Sequence, residues 1–123
     1  MHTQLKLLLF VLLLTACLQT PEPSDSGIEG TVTIGPMCPV MQENVPCADQ
    51  PYQAALTVLT TSGKKVTQFQ TNENGRFRVD LAAGDYVLHP ESPNAMPFAA
   101  DIPFTVNAHE FTQLKINYDS GIR

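Results

Sequence analysis

From Gly27 onward, apolar residues fall mainly on every second position, in short runs broken by turn residues. That period belongs to half-buried β-strands, not to helices. Ile28, Gly30, Val32 and Ile34 share one face of a first strand, with Glu29, Thr31 and Thr33 opposite. Ala54, Leu56 and Val58 repeat the pattern within 53–61, and Ser62-Gly63-Lys64 turns the chain. Lys65 to Thr71 reads as a strand with broken alternation, since Val66 and Phe69 are three apart. A bulge or an edge position accounts for that. Asn72-Glu73-Asn74-Gly75 reads as a hairpin turn, its Asn-Gly pair suited to positive φ. Phe77, Val79 and Leu81 then point one way and Arg76, Arg78 and Asp80 the other; after a turn at 82–85, Tyr86 and Leu88 point inward. Pro90 to Pro97 is a loop. Ile102, Phe104 and Val106 form a short strand, and Thr112, Leu114, Ile116 and Tyr118 line the last one. About seven short strands at this spacing predict an all-β fold, a single antiparallel Ig-like β-sandwich.

The chain before Gly27 follows no such pattern. Lys6 precedes an unbroken apolar stretch from Leu7 to Leu14. This stretch can enter a translocon but falls short of the roughly 18 residues that span a bilayer. Leu14-Thr15-Ala16-Cys17 follows and resembles the bacterial lipobox at all four positions. The resemblance implies cleavage after residue 16 and lipidation of Cys17, with the cysteine becoming the first residue of a mature lipoprotein. Acyl chains at about 0.8 kcal/mol per buried CH₂ would hold it firmly in a membrane. Residue 18 is Leu, where lipoproteins retained in an inner membrane often carry Asp. In a host with two membranes this implies the outer one, facing the periplasm. Residues 18–26 are polar and contain Pro21 and Pro23, the composition of a tether. Nearly extended, it reaches roughly 30 Å. The expected organisation is a signal peptide at 1–16, lipidated cysteine and tether at 17–26, sandwich at 27–118 and a short tail at 119–123.

Composition narrows the function classes. In 123 residues, 43% hydrophobic content supports a packed core, and ten prolines with seven glycines suit a turn-rich β protein. The net charge of −5 excludes a basic nucleic-acid footprint and disfavours lying flat on anionic lipid. The expected partners are the membrane, through the lipid, and a protein of the cell envelope.

The stretch from Thr71 to Leu88 carries a resemblance. Thr71-Asn72-Glu73-Asn74-Gly75-Arg76-Phe77, the alternation through Leu81, and Ala83-Gly84-Asp85-Tyr86-Val87-Leu88 resemble the hallmark of carboxypeptidase-regulatory-like domains. Gly27-Ile28-Glu29-Gly30-Thr31-Val32 is similar to the first strand of those domains. The resemblance implies a seven-stranded transthyretin-like (prealbumin-like) sandwich and is nearly silent on function. Transthyretin-like hydroxyisourate hydrolases end in Tyr-Arg-Gly-Ser. Here the chain reads Tyr118-Asp119-Ser120-Gly121-Ile122-Arg123, with an acid in place of the arginine.

Cys38 and Cys47 remain once Cys17 is assigned to lipid, and an even pair in an exported chain is first a disulfide. Such a short closure contributes roughly 2–3 kcal/mol. It is either a staple on a long connection or a rigid recognition loop, with Pro39, Val40, Met41, Gln42 and Glu43 as candidate binding residues. The second reading would make the chain a ligand-binding module for carbohydrate or peptide, or a protease inhibitor. Sugar platforms favour Trp, which is absent, leaving Tyr52 and Phe111 as candidate rings. Met37 and Met41 lack the spacing of a copper site, and His89 and His109 lie far apart, as surface residues near strand ends. Asn72-Glu73-Asn74-Gly75 has one carboxylate where calcium loops use several. No nucleophile, zinc or phosphate-loop motif occurs. The expectation is no catalytic residues, no metal and no cofactor: a non-catalytic cell-envelope lipoprotein whose sandwich is a structural or interaction module.

Overall fold

In the computed structural model, the described residues are 25–40 and 47–123. They are all-β and form two four-stranded sheets. The first sheet is built on β1 (Gly27–Gly35). Along one edge of β1, β8 (Phe111–Asp119) pairs in parallel from Gly27 to Gly35. The other edge is shared: β5 (Arg76–Asp80) pairs with 27–31 and β2 (Gln50–Pro51) with Thr33 and Ile34, both antiparallel. The second sheet runs in the order β4 (Lys65–Gln70), β3 (Ala55–Thr60), β6 (Gly84–Pro90) and β7 (Ile102–Val106), antiparallel throughout.

The alternating positions become the facing layers of a sandwich. Ile28, Val32, Phe77, Ile116 and Tyr118 from the first sheet are buried with Leu56, Val58, Leu88, Phe104 and Val106 from the second. Each such side chain contributes about 1.5–3 kcal/mol on leaving water. Tyr118 brings its hydroxyl into this core, where it donates to the Glu91 carbonyl at 2.9 Å. Burial, with Tyr52 and Glu91 nearby, pushes its pKa up to about 12.

Three features depart from the antiparallel, seven-strand expectation. The pairing of β1 with β8 is parallel, because alternation assigns a residue to a face but not to a neighbouring strand. An eighth element, Gln50–Pro51, has no apolar pattern and is a strand only through its contact with β1. The turn at 72–75 joins no hairpin: β4 lies in one sheet and β5 in the other. The chain arches between layers because Phe69 and Phe77 meet in the core, centroids 5.2 Å apart, while the Gly75 carbonyl accepts from Val32 N–H at 2.7 Å. The turn chemistry itself is local. Asn72 Oδ1 accepts from the N–H groups of Asn74 and Arg76 at 3.0 and 2.9 Å, and Gly75 supplies φ of 71°.

The broken alternation of β4 has both expected causes. The strand is an edge, and its register against β3 shifts between Val58 and Leu59. At the boundaries, the packed unit slightly exceeds 27–118. Ser26 is buried, donating to the Leu81 carbonyl at 2.7 Å, and Asp119 completes β8.

Gly30 permits the close approach of β1 and β8, since a Cβ there would lie 1.8 Å from the Leu114 carbonyl oxygen. Gly30→Ala must therefore push β8 away. It should lower the unfolding free energy by at least the ~1–3 kcal/mol of an overpacked core, measured by equilibrium unfolding in urea.

Candidate interaction surface

Strand direction separates the two ends of the sandwich. The described chain enters at Asp25, beside the β7–β8 turn, and β1 carries it over nine residues, about 30 Å, to the opposite end. At the entry end the imidazole Nδ1 of His109, a residue with φ of 61°, hydrogen-bonds the Asp25 carboxylate. The contact lowers the Asp25 pKa and raises that of His109, in each case chiefly through the hydrogen bond to the other.

The distal end gathers the termini of β1, β6 and β8 with the start of β3. Residues 119–121 bind the two loops beside them. Ser120 N–H donates to Gly35 O at 2.9 Å, and Ser120 Oγ donates to Pro36 O at 2.5 Å. Phe98 and Asp119 exchange backbone hydrogen bonds at 3.0 and 2.7 Å, and the Met96 side chain packs against Gly121. The Asp119 carboxylate is held down to about 2, first by Arg123 and then by the Gly121 N–H. A cation and a backbone donor thus fold the tail back onto the strand end.

The expected disulfide is present. Cys38 and Cys47 are bonded, with Cα atoms 6.1 Å apart. Beyond it, Asn117 Nδ2 donates to Asp49 Oδ2 at 2.6 Å and to Thr33 Oγ1 at 3.0 Å, so the returning chain is fixed to the first sheet. Of the candidate binding residues, Pro39 and Val40 lie on this loop and are exposed. Met41, Gln42 and Glu43 lie outside the described residues, as do Cys17 and the rest of 1–24, which hold the expected signal peptide and most of the expected tether.

Both loops bear apolar side chains that the core does not cover. Met37, Val40, Met96 and Phe98 keep 38, 69, 45 and 51% of their surface exposed. Met96 and Phe98 were not anticipated. The available signal was their presence in a proline-rich loop with no strand period to bury them.

The other candidates lie elsewhere. Tyr52 stands edge-on to Tyr118 at 4.9 Å, and the Arg78 guanidinium covers the Phe111 ring at 3.6 Å, so neither ring forms a bare platform. His89 Nδ1 meets Asp101 Oδ1 at 2.6 Å, and its Nε2 faces Glu91 Oε2 at 3.8 Å. Thr57 Oγ1 donates to Glu91 Oε1 at 2.6 Å. This cluster ties both ends of the 91–101 loop to the second sheet. Among the described residues no group of three His, Cys, Asp or Glu is placed to hold a metal ion.

No protein-family profile matches the chain, and no curated protein matches it. A solved structure does. The Bacillus anthracis TIE protein is similar at 19% identity with a TM-score of 0.52, over 77% of this chain and 17% of that one. The chain therefore spans about a sixth of that protein's length, and the likeness shows the β fold alone.

Two measurements test this geometry. Replacing Cys38 and Cys47 together by serine should lower unfolding free energy by roughly 2–3 kcal/mol while the sandwich persists, read by urea denaturation and circular dichroism. The Asp25–His109 contact should be complete between the lowered Asp25 pKa and the raised His109 pKa. It should fade as pH falls through the first, protonating Asp25, or rises through the second, neutralising His109. An NMR titration should find His109 above 6.5, and Asp25→Asn should bring it back toward that value.

Proposed function

We propose that this chain is a non-catalytic lipoprotein of the cell envelope, anchored through Cys17, whose carboxypeptidase-regulatory-like sandwich presents its distal end to a protein partner. The observation that carries the reading is the exposed set Met37, Val40, Met96 and Phe98 at the end opposite Asp25. Uncovered methionine and aromatic side chains on adjoining loops are the composition of a binding surface. The anchor rests on Leu14-Thr15-Ala16-Cys17 and the polar segment after it. With the membrane on the Asp25 side, the apolar loops face away from it. The domain reading rests on the motif from Thr71 to Leu88.

A second reading gives recognition to the disulfide loop alone, and the high exposure of Val40 favours it. One experiment separates the two. A photo-crosslinking residue at Val40 or Phe98, in intact cells, should capture the same envelope protein from both positions and nothing from Lys115, on the outer face of the first sheet. Capture from Val40 alone supports the loop reading. Recovery of lipid only refutes both. Cys17→Ser should release the protein from the membrane fraction, and retention would refute the anchor.

A further inference from the structure

The corner between β3 and β4 lies at the end where the described chain begins. Asp80 pairs with Gly27 at the start of β1, and a short turn leads from it into β6 at Gly84. β3 runs against β6 and finishes with Thr60 opposite Tyr86, so 61–64 turns at the same end as Asp25. Local bonds close this turn. Thr60 N–H donates to Lys64 O at 2.8 Å, Gly63 N–H to Thr60 O at 2.9 Å, and Lys64 N–H to Thr60 Oγ1 at 3.0 Å.

Consecutive side chains stand out from the corner. Lys64, Lys65 and Val66 are all exposed. Neither ammonium group has an ion-pair or hydrogen-bond partner among the described residues. Val66 keeps 43% of its surface in solvent because it falls at the register shift, between Lys65 opposite Leu59 and Thr67 opposite Val58. A residue left over in this way has no counterpart across the strands. The carboxylates of this end lie elsewhere. Asp25 meets His109, Asp85 accepts from Thr105 Oγ1 at 2.7 Å, and Glu110 follows His109, all toward β7 and β8. Asp80 belongs to the first sheet. β4 and β7 are opposite edges of the second sheet, so the unpaired cations occupy one corner.

Chain length and charge select what covers that corner. Between the expected anchor, Cys17, and Asp25 the chain spans at most about 30 Å. The second sheet is four strands wide, about 15 Å. A sandwich held that close can lean until the corner touches the surface that holds Cys17. A bilayer with anionic headgroups offers phosphate to the lysines and a glycerol–acyl boundary to the valine. We propose that the sandwich leans on its own membrane through Lys64, Lys65 and Val66, which contact anionic phospholipid headgroups. The contact rests on the anchor at Cys17 and adds an orientation to it. The net charge of −5 keeps the rest of the surface off the bilayer, so the distal loops stay directed away from it.

The test uses the full lipidated chain in vesicles of phosphatidylcholine, with or without phosphatidylglycerol, each containing a lipid with a nitroxide headgroup. A dye on Thr61→Cys, exposed beside the lysines, should be quenched several-fold more in the anionic vesicles. A dye on Asn94→Cys, in the distal 91–101 loop, should be quenched in neither. Lys64→Gln with Lys65→Gln should return the first signal to its phosphatidylcholine level, up to about fivefold in contact for each lysine. Val66→Asp should lower it too, as should raised salt. The melting midpoint should hold, since the side chains replaced are exposed and make no bonds. Sedimentation with vesicles should be unchanged in every variant, because the acyl chains hold the protein. Equal quenching in the two vesicles, equal quenching at 61 and 94, or quenching that survives the lysine or valine substitutions would overturn the contact and leave the anchor standing. A chain that sediments with neither vesicle would overturn the anchor, and the contact with it.

Discussion

Every layer of this molecule is referred to β1. Its backbone is bonded along its whole length to β8 on one side and to β5 and β2 on the other. Its inward side chains, Ile28 and Val32, have no exposed surface. The approach is tight enough that the position between them holds glycine. Three separate stretches of sequence, β2, β5 and β8, thus share β1 as their strand partner. The second sheet has no such hub. It is a chain of antiparallel pairs, and among the described residues one of its two edge members, β4, pairs with β3 alone.

The constraint also explains how the ends acquire different characters. Strands leaving β1 and β8 together deliver Gly35 and Asp119 to the same place, where Ser120 ties them. Loops that meet there are fixed by backbone, side-chain and disulfide bonds, with Ala99 alone of the 91–101 loop's apolar residues buried in the core. Met37, Val40, Met96 and Phe98 are ordered without being covered. At the entry end, the exposed His109–Asp25 ion pair adds to the backbone bond from Gly27 N–H to Glu110 O, and its hold depends on pH.

Much of the sandwich was legible because its physics is local. The alternation in 27–35, 55–60, 76–80 and 111–119 places apolar residues on one face, and the burial of Ile28, Leu56, Phe77 and Tyr118 follows. The Cys38–Cys47 bond was legible because the remaining cysteines form a single pair. Partner choice was not. Nothing in 111–119 says that β8 runs parallel to β1, and the Asn-Gly turn specifies a reversal without saying whether the returning strand rejoins its sheet. Gln50–Pro51 carries no period at all. Of the surface, the cysteine loop was visible through its cysteines, whereas Met96 and Phe98 gained significance only when Asp119 and Gly121 brought their loop beside it.

The parallel arrangement of β1 and β8 has a mechanical consequence. Asp25 leads into the beginning of β1 at one end of the sandwich, and Arg123 follows the close of β8 at the other. Tension applied between those residues drags the two strands past each other along their common axis. Their ladder is then loaded in shear, with all its bonds strained together, and cannot open one rung at a time. A domain pulled in that direction yields late and abruptly, whereas the hairpin of β3 and β4 would peel.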